Sequence, residues 1–122
     1  MGAAKILNLA SAVYTASGAS ATEFDTTWPE ALAIDLNVTQ FVNGTTPSIQ
    51  FFLDRQGCDG EWYPVALGAA ITATGKVSYS VGLGATLAVV LTERARLSWV
   101  FAGAVAADSI TFKGSIVGRR IN

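Results

Sequence analysis

The sequence predicts an all-β fold: an antiparallel β-sandwich of jelly-roll or immunoglobulin-like type, in a single domain with an extended N-terminal arm. Three observations predict it. From residue 30 onward, apolar residues recur at every second position in short runs, which is the period of a half-buried strand. Turn-forming Gly, Asn, Asp and Pro residues separate those runs at roughly ten-residue intervals, the spacing of sandwiches and barrels. A chain of 122 residues is long enough for one core and short for two.

The elements follow in order. In EALAIDLNVTQFV, residues 30–42, Leu32, Ile34, Leu36 and Val38 share one face, with Ala33, Asp35, Asn37 and Thr39 on the other. Asn43-Gly44 tolerates the positive φ angles of a tight reversal, so the strand is expected to form a hairpin with SIQFFLD, residues 48–54. There Ile49, Phe51 and Leu53 align. Cys58-Asp59-Gly60 is a second reversal and delivers EWYPVAL, where Pro64, unable to donate to a ladder, marks an edge strand or a bulge. ITATGKVSYSV, residues 71–81, holds strand formers around Gly75, and GLGA, residues 82–85, reads as a loop.

The Ala and Arg content of ERARLSWVFAGAV suggests a helix, but its alternation predicts a strand. Ala95, Leu97, Trp99 and Phe101 face one way, with Arg94, Arg96, Ser98 and Val100 opposite. After Ala106-Ala107-Asp108, SITFKGSIVG alternates Ile110, Phe112 and Ile116 with Thr111, Lys113, Ser115 and Val117. Residues 10–29 differ, being small and polar around the isolated aromatics Tyr14, Phe24 and Trp28, and they fall largely within an N-terminal segment of residues 1–28. Two expectations stand for that segment: an N-terminal arm that crosses to a neighbouring subunit through KILNL (residues 5–9), or the first strand of the chain's own sandwich. The sandwich domain is assigned to residues 29–122.

Composition excludes much chemistry. There is no His and only Cys58, which has no second Cys or His to activate it, so neither a nucleophilic centre nor a metal site is expected. Asp54, Asp59 and Glu61 flank a turn, but their spacing lacks the ligand run of a calcium loop, and turn chemistry is the better reading. Asp25 and Glu30 read as solvated loop residues rather than a glycosidase pair. No phosphate-binding or dinucleotide glycine loop is present, and no cofactor is expected. A formal net charge of −1 supplies no footprint for nucleic acid or anionic lipid, so neither is an expected partner. The apolar run LSWVFAGAVAA falls short of the ~20 residues of a spanning helix, and Asn8 and Ser11 interrupt the leader-like N-terminus, so a cleaved leader is not expected.

Hydrophobic residues are 51% and charged residues 14%, which favours a chain whose surface is partly covered by further copies. The candidate interface residues are Lys5, Ile6, Leu7 and Leu9, with the cations Arg94, Arg96, Arg119 and Arg120, since Arg is enriched at subunit interfaces. Trp62, Tyr63 and Tyr79 are candidates for an aromatic platform that covers the apolar faces of sugar rings, against the competing reading of core or interface aromatics. The sequons at Asn37 and Asn43 matter only in a secreted eukaryotic setting.

The order of features over residues 30–118 carries a resemblance: an alternating strand, Asn-Gly-Thr-Thr-Pro, SIQFFLDRQ, Asp-Gly-Glu-Trp, AITATGKVSYSVG, RARLSWVFAG and DSITFKGSIVG. It resembles small β-sandwich structural proteins of tailed-bacteriophage virions. The resemblance implies a non-enzymatic virion component: a capsid decoration or cement protein, packing as a homo-oligomer, expected to be a trimer, against the major capsid protein. A tail-tube, neck or minor tail subunit is the alternative within the particle. A carbohydrate-binding module recognising host-surface glycan is the alternative of another class.

Overall fold

A computed structural model describes residues 2–15, 18–19, 23–42, 48–82, 85, 87, 91–102 and 109–120. Nine strands are present among them: β1 (Gly2–Tyr14), β2 (Gly18–Ala19), β3 (Phe24–Asp25), β4 (Ala31–Val42), β5 (Ser48–Gln56), β6 (Trp62–Ala66), β7 (Gly75–Gly82), β8 (Arg94–Ala102) and β9 (Ser109–Arg120). They form two antiparallel sheets. One has the order β1-β9-β4-β7; the other runs β2-β8-β5-β6, with β3 also on β8.

The alternation of each strand explains why the sheets pack. Leu32, Ile34, Leu36 and Val38 of β4 and Ile110, Phe112 and Ile116 of β9 point from the four-stranded sheet into the same interior as Ile49, Phe51 and Leu53 of β5 and Leu97 of β8; each is at most 2% exposed. Burying one such side chain contributes about 1.5–3 kcal/mol, so this shared layer is the main stabilising term. Aromatic contacts knit it together: Phe112 meets Phe51 edge-on at 5.0 Å and Trp99 edge-on at 5.2 Å.

Two expectations are corrected. The strands over residues 30–42 and 48–54 do not form a hairpin: β4 pairs with β7 and β9, whereas β5 pairs with β6 and β8. The chain changes sheets between them, because each strand has one fully apolar face and opposed sheets let both faces share a core. The turn assigned to residues 43–47 lies outside the described residues, as do Gly84 and residues 106–108. Residues 71–74 are not a strand; Ile71 makes one bridge to Ile49, and β7 begins at Gly75. Pro64 does lie in an edge strand, β6.

Of the two expectations for residues 1–28, the structure has the strand. Gly2–Tyr14 runs antiparallel to β9 from Gly2↔Arg120 to Tyr14↔Ile110, with register shifts between Lys5 and Leu7 and between Leu9 and Ala12. Residues 18–19 and 24–25 then cross to the other sheet and pair with β8. Leu7 and Phe24 lie in the core.

Candidate functional site

The outer face of the five-stranded sheet follows from strand parity. With Ile49, Phe51 and Leu53 inward, β5 presents Gln50, Phe52 and Asp54 outward; with Ala95, Leu97 and Trp99 inward, β8 presents Arg96, Ser98 and Val100. Register sets Asp54 between Arg96 of β8 and Pro64 of β6, and Phe52 between Ser98 and Ala66. Trp62, opposite Gln56, stands beside them, and Gly18 and Ala19 of β2 form the opposite rim. Together they line a groove of about 560 Å³.

A bonded cluster occupies one part of this groove. Arg96 donates from Nε to Asp54 Oδ2 at 3.0 Å, and Ser98 Oγ donates to Asp54 Oδ1 at 2.8 Å. The guanidinium carbon of Arg96 lies 4.4 Å from the centroid of the Trp62 ring, within cation–π range. Asp54 is 5% exposed, whereas the Arg96 side chain is 30% exposed, so the carboxylate anchors the cluster from below and the guanidinium reaches the groove. The ion pair cancels the charge of the site. Phe52, Pro64 and the 47%-exposed Val100 supply apolar surface alongside it.

The three candidate platform aromatics are not brought together. Trp62 borders the groove. Tyr63, the next residue on β6, points to the other side of its strand, 47% exposed, and its hydroxyl donates to Asp59 Oδ2 at 2.5 Å. That bond raises the Tyr63 hydroxyl above its ordinary value and, with the Glu61 N–H, holds the Asp59 carboxyl below the usual carboxylate range. Tyr79 belongs to β7 of the other sheet and faces inward, packed on the core; burial raises its hydroxyl. The platform of Trp62, Tyr63 and Tyr79 is therefore corrected to Trp62 alone, because adjacent strand residues alternate faces.

The candidate interface residues scatter similarly. Leu7 is buried in the chain's own core, Ile6 and Leu9 pack against it, and Lys5 is exposed. Arg94 pairs with Glu23 at 3.1 Å, Arg96 belongs to the groove, and Arg119 and Arg120 are exposed at the end of β9. Asp54, read from the sequence as a turn carboxylate, is instead a buried strand residue. Asp59 does serve its turn, accepting from the Glu61 N–H at 3.0 Å. Asp25 accepts from the side chain and N–H of Thr27, which hold its carboxyl low. No group of His, Cys, Asp and Glu among the described residues has the arrangement of a metal site.

The Asp54–Arg96–Ser98 cluster escaped sequence reasoning because its members are separated by 42 and 44 residues. A signal was present: Asp54 shares the outward parity of Phe52 on its strand, and Arg96 and Ser98 share the outward parity of theirs.

No family model matches the sequence, and no curated protein matches it. Among solved structures the chain is similar to the CBM22-1 xylan-binding domain of Xyn10C from Paenibacillus barcinonensis, with a TM-score of 0.60 and 11% identity over 98% of this chain and 97% of that one. At that identity the likeness is one of fold, a β-sandwich.

Proposed function

We propose that this chain is a non-catalytic carbohydrate-binding module that holds a neutral polysaccharide in the groove of its five-stranded sheet. One observation carries the reading: an indole and a guanidinium, fixed against each other by a buried carboxylate, border an open groove that mixes apolar and polar surface. The division of labour follows from the chemistry. Trp62 offers an aromatic surface to the C–H groups of a sugar ring. Arg96 uses Nε on Asp54, which leaves its outer N–H groups to donate to ring hydroxyls. Phe52 and Val100 extend the apolar surface to a neighbouring ring. Because Asp54 and Arg96 cancel, the groove favours an uncharged chain over an acidic one. The sandwich shared with a xylan-binding domain supports the reading at the level of fold.

The test is electrophoretic retardation in gels containing soluble xylan, β-glucan or mannan, followed by calorimetry with the retarding polymer. Retardation is expected with at least one of them, together with a loss of about tenfold in affinity for Trp62→Ala, as expected for removing one stacking ring. Retardation by none, or an unchanged Trp62→Ala, overturns it.

A second reading, a virion structural component, is supported by the resemblance of the turn and strand order. It is favoured by one observation: β1 is a 13-residue strand at the edge of its sheet, and edge strands are surfaces for association. The two readings combine in a particle protein that holds host-surface glycan. Quantifying the chain in purified particles tests the second; its absence from them removes that setting.

A further inference from the structure

The net charge of −1 conceals a segregation of charge between the two sheets. On the outer face of the four-stranded sheet, parity places Lys113 and Arg119 of β9 and Lys76 of β7, since Ile116 and Val81 point the other way, and the register shift between Lys5 and Leu7 sets Lys5 of β1 beside Val117 on the same outer face. Against them stand Asp35 of β4, whose Oδ1 accepts from Ser78 Oγ at 2.7 Å, and Glu30 at the entry to β4, whose N–H donates to the Arg119 carbonyl at 2.8 Å. The ion pairs described in the chain, Arg94–Glu23 and Arg96–Asp54, involve none of these cations. Glu23, Asp25, Asp54, Asp59, Glu61 and Glu93 all lie with the other sheet and its turns.

Two rows of this face line a depression of about 330 Å³. One row crosses all four strands as Asn8, Ser115, Asp35 and Ser78; the other is Lys113, Asn37 and Lys76. The lysines are two strands apart, which sets their backbones about 10 Å from each other with the Asn37 amide between them. The depression therefore offers two cations, the Asn37 amide and, one row away, the Asp35 carboxylate and the Ser115 hydroxyl, with Ser78 beyond its edge.

We propose that this face is a second glycan-binding surface, selective for acidic polysaccharides whose rings carry carboxylates. The cations define the sign of the ligand, and the neighbouring polar groups define its class. Lys76 and Lys113 receive carboxylates on separate rings, and Asn37 hydrogen-bonds between them. Asp35 repels a ligand made only of anions, but accepts from hydroxyl groups, which a sugar acid presents beside its carboxylate. Duplex DNA fits poorly, because it carries a charge every ~1.7 Å and offers no hydroxyl to Asp35. The surface is on the opposite sheet from the Trp62 groove and does not depend on it.

Affinity electrophoresis of the intact chain in polygalacturonate gels, with neutral β-glucan gels and duplex DNA as controls, tests the proposal. The expected result is retardation by polygalacturonate that weakens about tenfold as salt is raised from about 0.05 M to about 0.5 M. It is expected to be lost in Lys76→Gln/Lys113→Gln, kept in Trp62→Ala, and strengthened against DNA in Asp35→Asn. Thermal midpoints of the variants, unchanged for these exposed lysines, separate loss of binding from loss of fold. No retardation, retardation that the double lysine variant keeps, or equal retardation by DNA overturns it. So does a mass by sedimentation that grows at low salt in the parent and not in the double variant without polygalacturonate retardation, since a second copy is then the occupant.

Discussion

The ring of Tyr14 lies 4.3 Å from that of Phe112, only 20° from parallel, and 4.8 Å from Trp99 edge-on. The last residue of the first strand is thereby set against rings of both sheets. Tyr14→Ala is expected to cost about 2–4 kcal/mol in urea denaturation, through lost stacking and a cavity. Removing residues 1–14 is expected to abolish the cooperative transition, because it uncovers the edge of β9 and takes Leu7 from the core. A truncated chain that still unfolds cooperatively would restore the arm reading.

Asp54 and Arg96 are expected to be coupled. Asp54→Ala leaves a guanidinium and the Ser98 hydroxyl without their shared acceptor, so a loss of about 2–3 kcal/mol is expected, and Arg96→Ala should cost less because its side chain is partly solvated. A double-mutant cycle measured by denaturation should give a coupling of about 1–2 kcal/mol. Strict additivity would mean that the pair is not fixed in solution.

The turn between β5 and β6 should respond to pH in two windows. Asp59 has its carboxyl lowered by the Tyr63 hydroxyl and the Glu61 N–H, so its contribution is present above the ordinary carboxylate value of 3.8 and is lost as pH falls through the lower folded value. Tyr63 has its hydroxyl raised by Asp59, so its contribution is complete below 10.0 and is lost as pH rises through the higher folded value. Carboxyl NMR titration of Tyr63→Phe should move Asp59 upward toward 3.8; an unmoved Asp59 rejects the bond as the cause.

Two glycines should differ on replacement by alanine. Gly82 has φ +118, and a Cβ there would come 2.4 Å from the Glu30 carbonyl oxygen, so Gly82→Ala combines backbone strain with a clash and should cost about 3 kcal/mol or more. Gly60 has φ +85 with open space around it, so Gly60→Ala should cost about 1 kcal/mol. Thermal denaturation ranks them, and equal losses would contradict the packing around Gly82.

What was legible in the sequence was local. Alternation in ALAIDLNV, SIQFFL and RLSWVF identified the strands and their inward faces, because parity needs only neighbouring residues. Pairing was not legible. Asn43-Gly44 suggested a hairpin, yet β4 and β5 belong to different sheets, a choice made by partners such as β9 far along the chain. The same distance hid the groove: Asp54 reads as a turn residue until Arg96 and Ser98 are brought beside it. Trp62 and Tyr63, adjacent in sequence, were read as one platform, although parity alone separates them. The charge of the four-stranded sheet was hidden by summing over the chain, since opposite signs on opposite sheets cancel in a total.

Gly2 and Arg120 face each other in register at one end of neighbouring antiparallel strands. Tension applied between these two points is therefore directed across the ladder rather than along it, and it opens the hydrogen bonds of β1 and β9 one after another, as a zipper opens, instead of shearing them together. The sandwich should yield at low force when pulled at Gly2 and Arg120, while tension between Gly2 and the groove must pass through the interlocked rings of Tyr14, Phe112 and Trp99. A single attachment point is the mechanically stronger way to anchor this fold.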